Sequence, residues 1–586
     1  MFKRVLAPLL FLLFAWFIVS NNDAKVIIAG IAIFLIGMHY MENGFKLFSG
    51  GALENILKKF TGSTPKAIGT GFLVTAVVQS SSLVSIIIIS FLSAELIGLT
   101  QAVGVVFGSN IGTTTTAWLV SAFGLKIKIA QYALPMLIFG VIMQFSKENL
   151  YKGLGSVLIG LGFIFLGIAY MKEGFETLKQ GLDLAEYAMA GYLGVFVYIF
   201  IGAVATVIIQ SSSATMAVII TALATGQIDY VNALSLAIGA NIGTTVTAAL
   251  GAMASNKNGK RLAVAHFIFN TVTGAIAVIF LYPLKDLVDV LAPIFSISET
   301  NYAMKLALFH TIFNVTGVLV VSPFIKQLVR YLETLFSKKE KGRGRPKYLT
   351  NEVIQIPASA LAALRKETIH LYDKSLEAIV HAMNLHRRDI FSDAEARRVV
   401  EHSLSPIKID VNKIYQDDIK NLYGAIIHYA SMSQSYMSQE DNNQIYELKL
   451  TARKIIEMVK DVRELQKNLN FFTTGKNTFM LDEYNKLRTQ LITVLRVIQE
   501  VRDYEGEEDI MTRIELQKEK IKESEIVLNT NIDTMIRENK IDSKMASSLM
   551  NDVGFTFSIC KKLLAAATTL WVQQEEIKEL GDEYEY

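Results

Sequence analysis

Two runs of small hydroxyl and amide side chains stand inside sequence that is otherwise apolar. Gln79, Ser80, Ser81 and Ser82 are followed by Gly108-Ser109-Asn110-Ile111-Gly112-Thr113-Thr114. Gln210, Ser211, Ser212 and Ser213 are followed by Gly239-Ala240-Asn241-Ile242-Gly243-Thr244-Thr245. Both motifs repeat at one offset, since 210 − 79 and 239 − 108 are each 131. Such side chains donate and accept hydrogen bonds, and leaving them unpaired in hydrocarbon costs several kcal/mol. The clusters are therefore expected to face one another or a ligand. Hydroxyls, amides and the N–H groups at a helix start suit a small anion. Hydroxyl oxygens and carbonyls of unwound backbone suit a hard cation such as Na⁺.

Charge is scarce around these motifs. Glu95 is the only charged residue between Lys66 and Lys126, and Asp229 the only one between Glu186 and Lys257. The inventory fits a tetrahedral oxyanion held by neutral donors and neutralised by co-bound Na⁺. The competing account is that small polar residues simply pack membrane helices together. Four motifs in two register-matched copies favour a site. Gly108, Gly112, Gly239 and Gly243 would permit either helix breaks or close helix approach. A second pattern, His266 with Asn270 and His310 with Asn314, places each pair one helical turn apart. These four residues are candidates to support the site, with helix-to-helix hydrogen bonding favoured over direct contact with substrate. With no acidic residue expected in the apolar core, a hydrolytic triad is excluded and the reading is not an enzyme.

The elements that would position the clusters are membrane helices. The stretches 4–20, 25–41, 68–94, 99–122, 127–145, 153–171, 190–225, 231–253, 262–282 and 303–331 approach the roughly 20 apolar residues a span requires. The first is read as a membrane helix rather than a signal peptide. Stretches 68–94 and 190–225 carry a serine cluster in their interior, which suits re-entrant hairpins with the cluster at the tip. The repeat also reaches upstream. Tyr40-Met41-Glu42-Asn43-Gly44-Phe45-Lys46 matches Tyr170-Met171-Lys172-Glu173-Gly174-Phe175-Glu176, at an offset of 130. The loop before the first cluster holds Lys58, Lys59 and Lys66, whereas Leu184 to Leu193 holds no Lys or Arg. By the positive-inside tendency, the two repeats should have opposite topology.

The expected organisation is a transport domain over 1–335, with repeat 1 at about 25–150, repeat 2 at about 153–285 and further spans to 331. A basic linker at 336–350 contains Ser337 to Lys347 (SKKEKGRGRPK). Residues 351–586 carry apolar residues at helical spacing and form an all-helical bundle, placed in the cytoplasm. The fold class is thus an all-α polytopic membrane protein with two inverted repeats and re-entrant hairpins, plus a soluble all-α bundle. A net charge of +3 argues against nucleic acid as a partner. The single cysteine, Cys560, excludes an intrachain disulfide and a Cys-based zinc site.

At these motifs the chain resembles the sodium/phosphate cotransporter family, the type II group with its bacterial relatives. That family carries paired QSSS sequences, each followed by G-x-N-I-G-T, and an H-x-x-F-N element like His266-Phe267-Ile268-Phe269-Asn270. The resemblance covers about residues 25–330. It implies Na⁺-coupled symport of inorganic phosphate by alternating access, in the inner membrane of a bacterial cell. On this resemblance Gln79 to Ser82, Gln210 to Ser213, Asn110 and Asn241 would hold phosphate. Ser81, Thr113, Thr114, Ser212, Thr244 and Thr245 would hold Na⁺. The C-terminal region resembles a PhoU-like domain, whose mark is an E/D-x-x-x-D helix motif that binds a divalent metal. Glu457 and Asp461 fit that spacing, while Asp410, Asp417 and Asp418 depart from it. Membrane lipid, a second copy of the chain and a cytoplasmic regulatory partner of 351–586 are the further partners considered. The alternative function is a membrane phosphate sensor signalling through that domain.

Overall fold

The structure is a computed structural model and describes residues 12, 15–49, 56–57, 59–124, 130–181, 188–189, 191–253, 256–336, 344–350, 354, 356–403, 405–503 and 510–572. Residues 4–11 and 13–14 of the apolar stretch 4–20, and 337–343 of the basic linker 336–350, lie outside the described residues. The chain divides into two compact units, Met1–Lys338 and Lys339–Tyr586. Among the described residues all regular elements are helices and there is no strand.

The first unit begins with α1 (Asn22–Ser49), α2 (Thr64–Val78), α3 (Ser81–Ser93), α4 (Leu99–Leu119) and α5 (Ala130–Gln144). It continues with α6 (Asn149–Gly181), α7 (Gly191–Ile209), α8 (Ser212–Ala224) and α9 (Tyr230–Met253). It closes with α10 (Lys257–Ile279), α11 (Leu281–Leu291), α12 (Tyr302–Val321) and α13 (Ile325–Thr334). Seven helices among the described residues are long and apolar enough to cross a membrane, six of them in this unit. Their outward faces are apolar: on α5, Ile138 and Phe139 are 60% and 61% exposed, and on α7, Phe200 and Ile208 are 69% and 75% exposed. In water such surfaces would demand a partner. In lipid they cost nothing, because hydrocarbon tails are as apolar as they are. The chain is a multi-pass membrane protein.

The stretches 68–94 and 190–225 each resolve into two helices. With 15 and 13 residues, α2 and α3 are about 22 and 20 Å long, too short alone for a core of about 30 Å. The four-residue sequence supplies both ends of the break. Gln79 takes a left-handed conformation at φ 60°, and Gln210 does the same at φ 59°. That conformation costs a non-glycine residue about 1–2 kcal/mol. Each Gln offsets part of that cost by turning its amide back on its own helix end, Gln79 Nε2 to Ala76 O (2.5 Å) and Gln210 Nε2 to Val207 O. The following serine is extended and caps the next helix. Ser80 Oγ accepts from Leu83 N and Ser211 Oγ from Ala214 N, both at 3.2 Å.

The Asn-Ile-Gly-Thr-Thr motifs, by contrast, do not break their helices. α4 and α9 run through them, so of the two expected roles for their glycines only close approach is realised. A Cβ on Gly112 would stand 2.6 Å from Thr75 Cβ, and one on Gly243 would stand 2.6 Å from Ala203 O. Gly108 and Gly239 press similarly against the carbonyls of Ile68 and Ile199. These contacts repeat at the offset of 131, so α2 packs on α4 as α7 packs on α9. α1 and α6 run antiparallel, with Gly30 against Gly167, Gly37 against Gly160 and Gly44 against Gly153.

The second unit comprises α14 (Pro357–Ala382), α15 (Lys420–Ser433), α16 (Gln439–Thr473), α17 (Thr478–Arg502), α18 (Ile510–Arg537) and α19 (Ser543–Ala567), with short helices between. Their inward faces bury Leu364, Ile379, Ile455, Leu469, Leu491 and Leu563. The seventh apolar helix, Ser543–Val572, lies here and is mostly buried within the unit.

Candidate functional site

Both Gln-Ser-Ser-Ser clusters line a single cavity of about 300 Å³. It lies where α2 gives way to α3 and α7 to α8, so the first turns of α3 and α8 both open onto it. The first N–H groups of a helix have no partner within that helix, and the helix dipole adds positive potential there. Ser81, Ser82, Ser212 and Ser213 sit in those first turns. Among the described residues no Lys or Arg lines the cavity. Its polar wall is therefore built mostly of hydroxyls, amides and helix N-termini, a set that can hold an oxyanion without a Lys or Arg.

A threonine joins the two clusters. Thr116 Oγ1 donates to Gln79 Oε1 at 2.7 Å and stands 3.4 Å from Ser213 Oγ. Gln79 Nε2 also donates to Thr115 Oγ1 at 2.6 Å. The amide of Gln79 is thus clamped and buried. Gln210 is exposed to the cavity, and Val246 stands where the first repeat has Thr115. Thr116 and its counterpart Thr247 are themselves 131 residues apart, and Thr247 lines the cavity. The sequence reading stopped at Thr114 and Thr245. Extending the same offset by two residues would have found this pair.

Of the other expected site residues, Thr244 and His266 reach the cavity wall. Asn110, Thr113, Thr114, Asn241, Thr245, Asn270, His310 and Asn314 are not among its lining residues. All are buried, and Thr114, Asn241, Asn270 and Asn314 hold helices together. Asn241 Nδ2 donates to Asn314 Oδ1 at 3.2 Å, tying α9 to α12. Asn270 Nδ2 donates to Asn241 O at 3.0 Å, lies 3.2 Å from Thr244 Oγ1 and 3.1 Å from His266 Nε2, tying α10 to α9. Thr311 Oγ1 donates to Thr114 Oγ1 at 3.1 Å, tying α12 to α4. Asn110 and Thr113 bond carbonyls of their own helix, at Val106 and Asn110, and Thr245 bonds Ile242 O.

One expectation is overturned. The sequence reading held acidic residues out of the core, yet Glu42 of α1 lines the cavity. Its Oε2 accepts from Ser80 Oγ at 3.2 Å, and its Oε1 pairs with Lys46 at 3.0 Å. Glu42 lies in an amphipathic stretch that reads as a helix end, and only the packing of α1 against the first break brings it inward. His39, one turn earlier on the same face, and Ser85 of α3 complete the polar wall.

In the second unit, Glu457 and Asp461 face cations of the protein itself. Lys562 Nζ lies 2.8 Å from Asp461 Oδ2 and 3.6 Å from Glu457 Oε2, and Arg453 pairs with Glu457 at 3.0 Å. Ser558 Oγ also donates to Asp461 at 2.9 Å. Among the described residues no group of three or more His, Cys, Asp or Glu could hold a metal ion. An ammonium thus stands where the expected divalent ion would sit.

Comparisons with known proteins follow the same lines. The chain is 26% identical over 495 residues to an Escherichia coli K12 protein named "Putative inorganic phosphate export protein YjbB", covering 81% of this chain and 84% of that one. That span exceeds Met1–Lys338, so the likeness extends into the second unit. It is 29% identical over 312 residues to the uncharacterized Bacillus subtilis protein YqeW, covering 53% of this chain and 97% of that one. It is 40% identical over 84 residues, 14% of each chain, to mouse sodium-dependent phosphate transport protein 2C. No solved structure matches the chain. Over residues 33–173 and 188–307, which hold both clusters, the membrane unit matches the Na⁺/Pi-cotransporter family model.

Proposed function

We propose that this chain carries inorganic phosphate across the membrane by Na⁺-coupled alternating access. The observation that carries the reading is that two clusters 131 residues apart, each at a helix break, line one cavity. Phosphate would be held by serine hydroxyls, by the Gln210 amide and by the N–H groups opening α3 and α8. Neutral donors leave the charge of the anion to be offset by a co-bound cation. Na⁺ supplies the missing positive charge and leaves with the anion. The likeness to proteins named for sodium-dependent phosphate transport and for phosphate export supports this substrate.

Inverted repeats would give the alternation. The antiparallel α1 and α6 are counterparts at an offset of 130, so exchanging the repeats turns the Gly30–Gly167 contact into Gly37–Gly160. A set of contacts that maps onto itself in this way belongs to a two-fold relation between antiparallel elements. Two such halves could expose a shared site to either side in turn. The second unit is proposed as a cytoplasmic regulatory domain, PhoU-like in helical pattern, beneath a bacterial inner membrane. The test is uptake of labelled phosphate into proteoliposomes holding the full chain. An inward Na⁺ gradient should drive uptake, and Ser81→Ala and Ser212→Ala should each lower it by about tenfold or more, the loss of one to two charge-assisted hydrogen bonds. Uptake indifferent to the Na⁺ gradient would reject the coupling.

A further inference from the structure

We infer that Glu42 is a ligand of the coupling cation, and that the two repeated clusters have divided their labour. The serine hydroxyls of the first cluster, with Glu42, take Na⁺; the oxyanion draws its side-chain donors from the second cluster and meets the N–H groups that open the two helices. This rests on the Na⁺-coupled reading above and deepens it. Glu42 Oε2, Ser80 Oγ and Ser82 Oγ form a connected set of oxygens, with Ser80 3.2 Å from Glu42 and 3.1 Å from Ser82. A hard cation bound at about 2.4 Å keeps neighbouring ligand oxygens about 3.4 Å apart, so this set already has nearly the spacing required.

Charge points the same way. Glu42 is the only Asp or Glu lining the cavity among the described residues, and an uncompensated carboxylate at that wall would repel the anion the cavity is built to hold. A cation on Glu42 Oε2 removes the repulsion, which makes anion entry depend on prior cation binding. Lys46 pairs through Oε1 and offsets part of that charge, leaving Oε2 beside Ser80 as the oxygen open to a cation. The second repeat lacks the arrangement. Lys172 stands at the position of Glu42 and pairs with Glu176 at 3.8 Å, the reverse order of charges, and it does not line the cavity. The glutamines differ correspondingly. Gln79 is clamped between Thr115 and Thr116, whereas the side chain of Gln210 faces the cavity and bonds only Val207 O of its own helix among the described residues. The anion donors are thus concentrated on the second cluster and the cation oxygens on the first.

The experiment is phosphate uptake by the full chain in proteoliposomes, titrated separately with Na⁺ and with phosphate. Glu42→Gln should raise the half-saturating Na⁺ concentration by about tenfold, the loss of one charged ligand. It should leave half-saturating phosphate, measured at saturating Na⁺, within about threefold of wild type. Lys46→Ala, a change at an exposed side chain, should lower half-saturating Na⁺ by removing the competing ammonium, and this arm decides if Glu42→Gln fails to insert. Ser212→Ala should raise half-saturating phosphate and leave half-saturating Na⁺ alone. An unchanged Na⁺ titration in Glu42→Gln, or in Lys46→Ala where that arm decides, while wild-type flux follows Na⁺, overturns the inference and spares the proposed function. Wild-type flux that ignores Na⁺ overturns both.

Discussion

Replacing Gly112 with alanine should push α4 away from α2 and unfasten the joint between the two clusters. The new Cβ would stand 2.6 Å from Thr75 Cβ and 2.8 Å from Phe72 O. Carbon atoms rest about 3.6 Å apart, so the helices must separate locally by about 1 Å. One helical turn further along the same interface, Gln79 bonds Thr115 at 2.6 Å and Thr116 at 2.7 Å. Adding 1 Å takes both beyond hydrogen-bonding distance. Two lost bonds at about 1 kcal/mol each, with about 1–3 kcal/mol for overpacking, give a destabilisation of about 3–5 kcal/mol. A binding site displaced by about 1 Å can lose up to a hundredfold in rate, and phosphate flux should fall at least about tenfold. Gly243→Ala should behave alike, since its Cβ would meet Ala203 O at 2.6 Å and Thr206 Cβ at 2.7 Å. Gly69→Ala, on α2 with nothing within 4 Å of its Cβ, is the control. Thermal unfolding of the purified protein and proteoliposome flux read the two effects. If Gly112→Ala matches Gly69→Ala in both, the close approach of α2 and α4 does not hold the site together.

Two further changes separate the roles of neighbouring groups. Thr116→Val keeps the volume and removes the hydroxyl shared by Gln79 and Ser213; it should reduce phosphate flux about five- to tenfold, the equivalent of about 1–1.5 kcal/mol, with Thr116→Ser restoring it. Equal flux in Thr116→Val would refute that joint. In the second unit, buried Arg488 donates to the carbonyls of Met383 (2.9 Å), Asn384 (3.0 Å), Val400 (3.2 Å) and Ser403, stapling two helix C-termini to α17. Burial draws its guanidinium down to about 10, still charged at neutral pH. Arg488→Met should leave those carbonyls unsatisfied and cost that unit at least about 3 kcal/mol, seen as faster limited proteolysis within 339–586 of the full chain, and lysine should not rescue it.

Much of the site was legible because it is written twice. A residue can be conspicuous by chance, but Gln79 to Ser82 and Gln210 to Ser213 at one offset are a constraint, and the polar cost of hydrocarbon required them to find partners. The break was legible too, since Gln followed by Ser supplies a carbonyl cap and an N-cap in succession. The role of the Asn-Ile-Gly-Thr-Thr motifs was not. Glycine permits both a break and a close approach, and the choice depends on what lies opposite Gly112 and Gly243. Asn110 and Asn241 look like ligands in sequence, yet a buried amide is satisfied equally well by its own helix or a neighbouring one.

The sequence by itself determined the local chemistry: where helices start and stop, which stretches are apolar enough for lipid, and which polar groups must be paired. Those follow from backbone geometry and solvation, which act over a few residues. Only the tertiary structure decided the partners. It set the two clusters on one cavity, closed the first glutamine between Thr115 and Thr116, turned Lys562 onto Glu457 and Asp461, and brought Glu42 against Ser80. Each of those contacts joins residues far apart in the chain, and no local rule of propensity or spacing specifies which distant face a helix will meet.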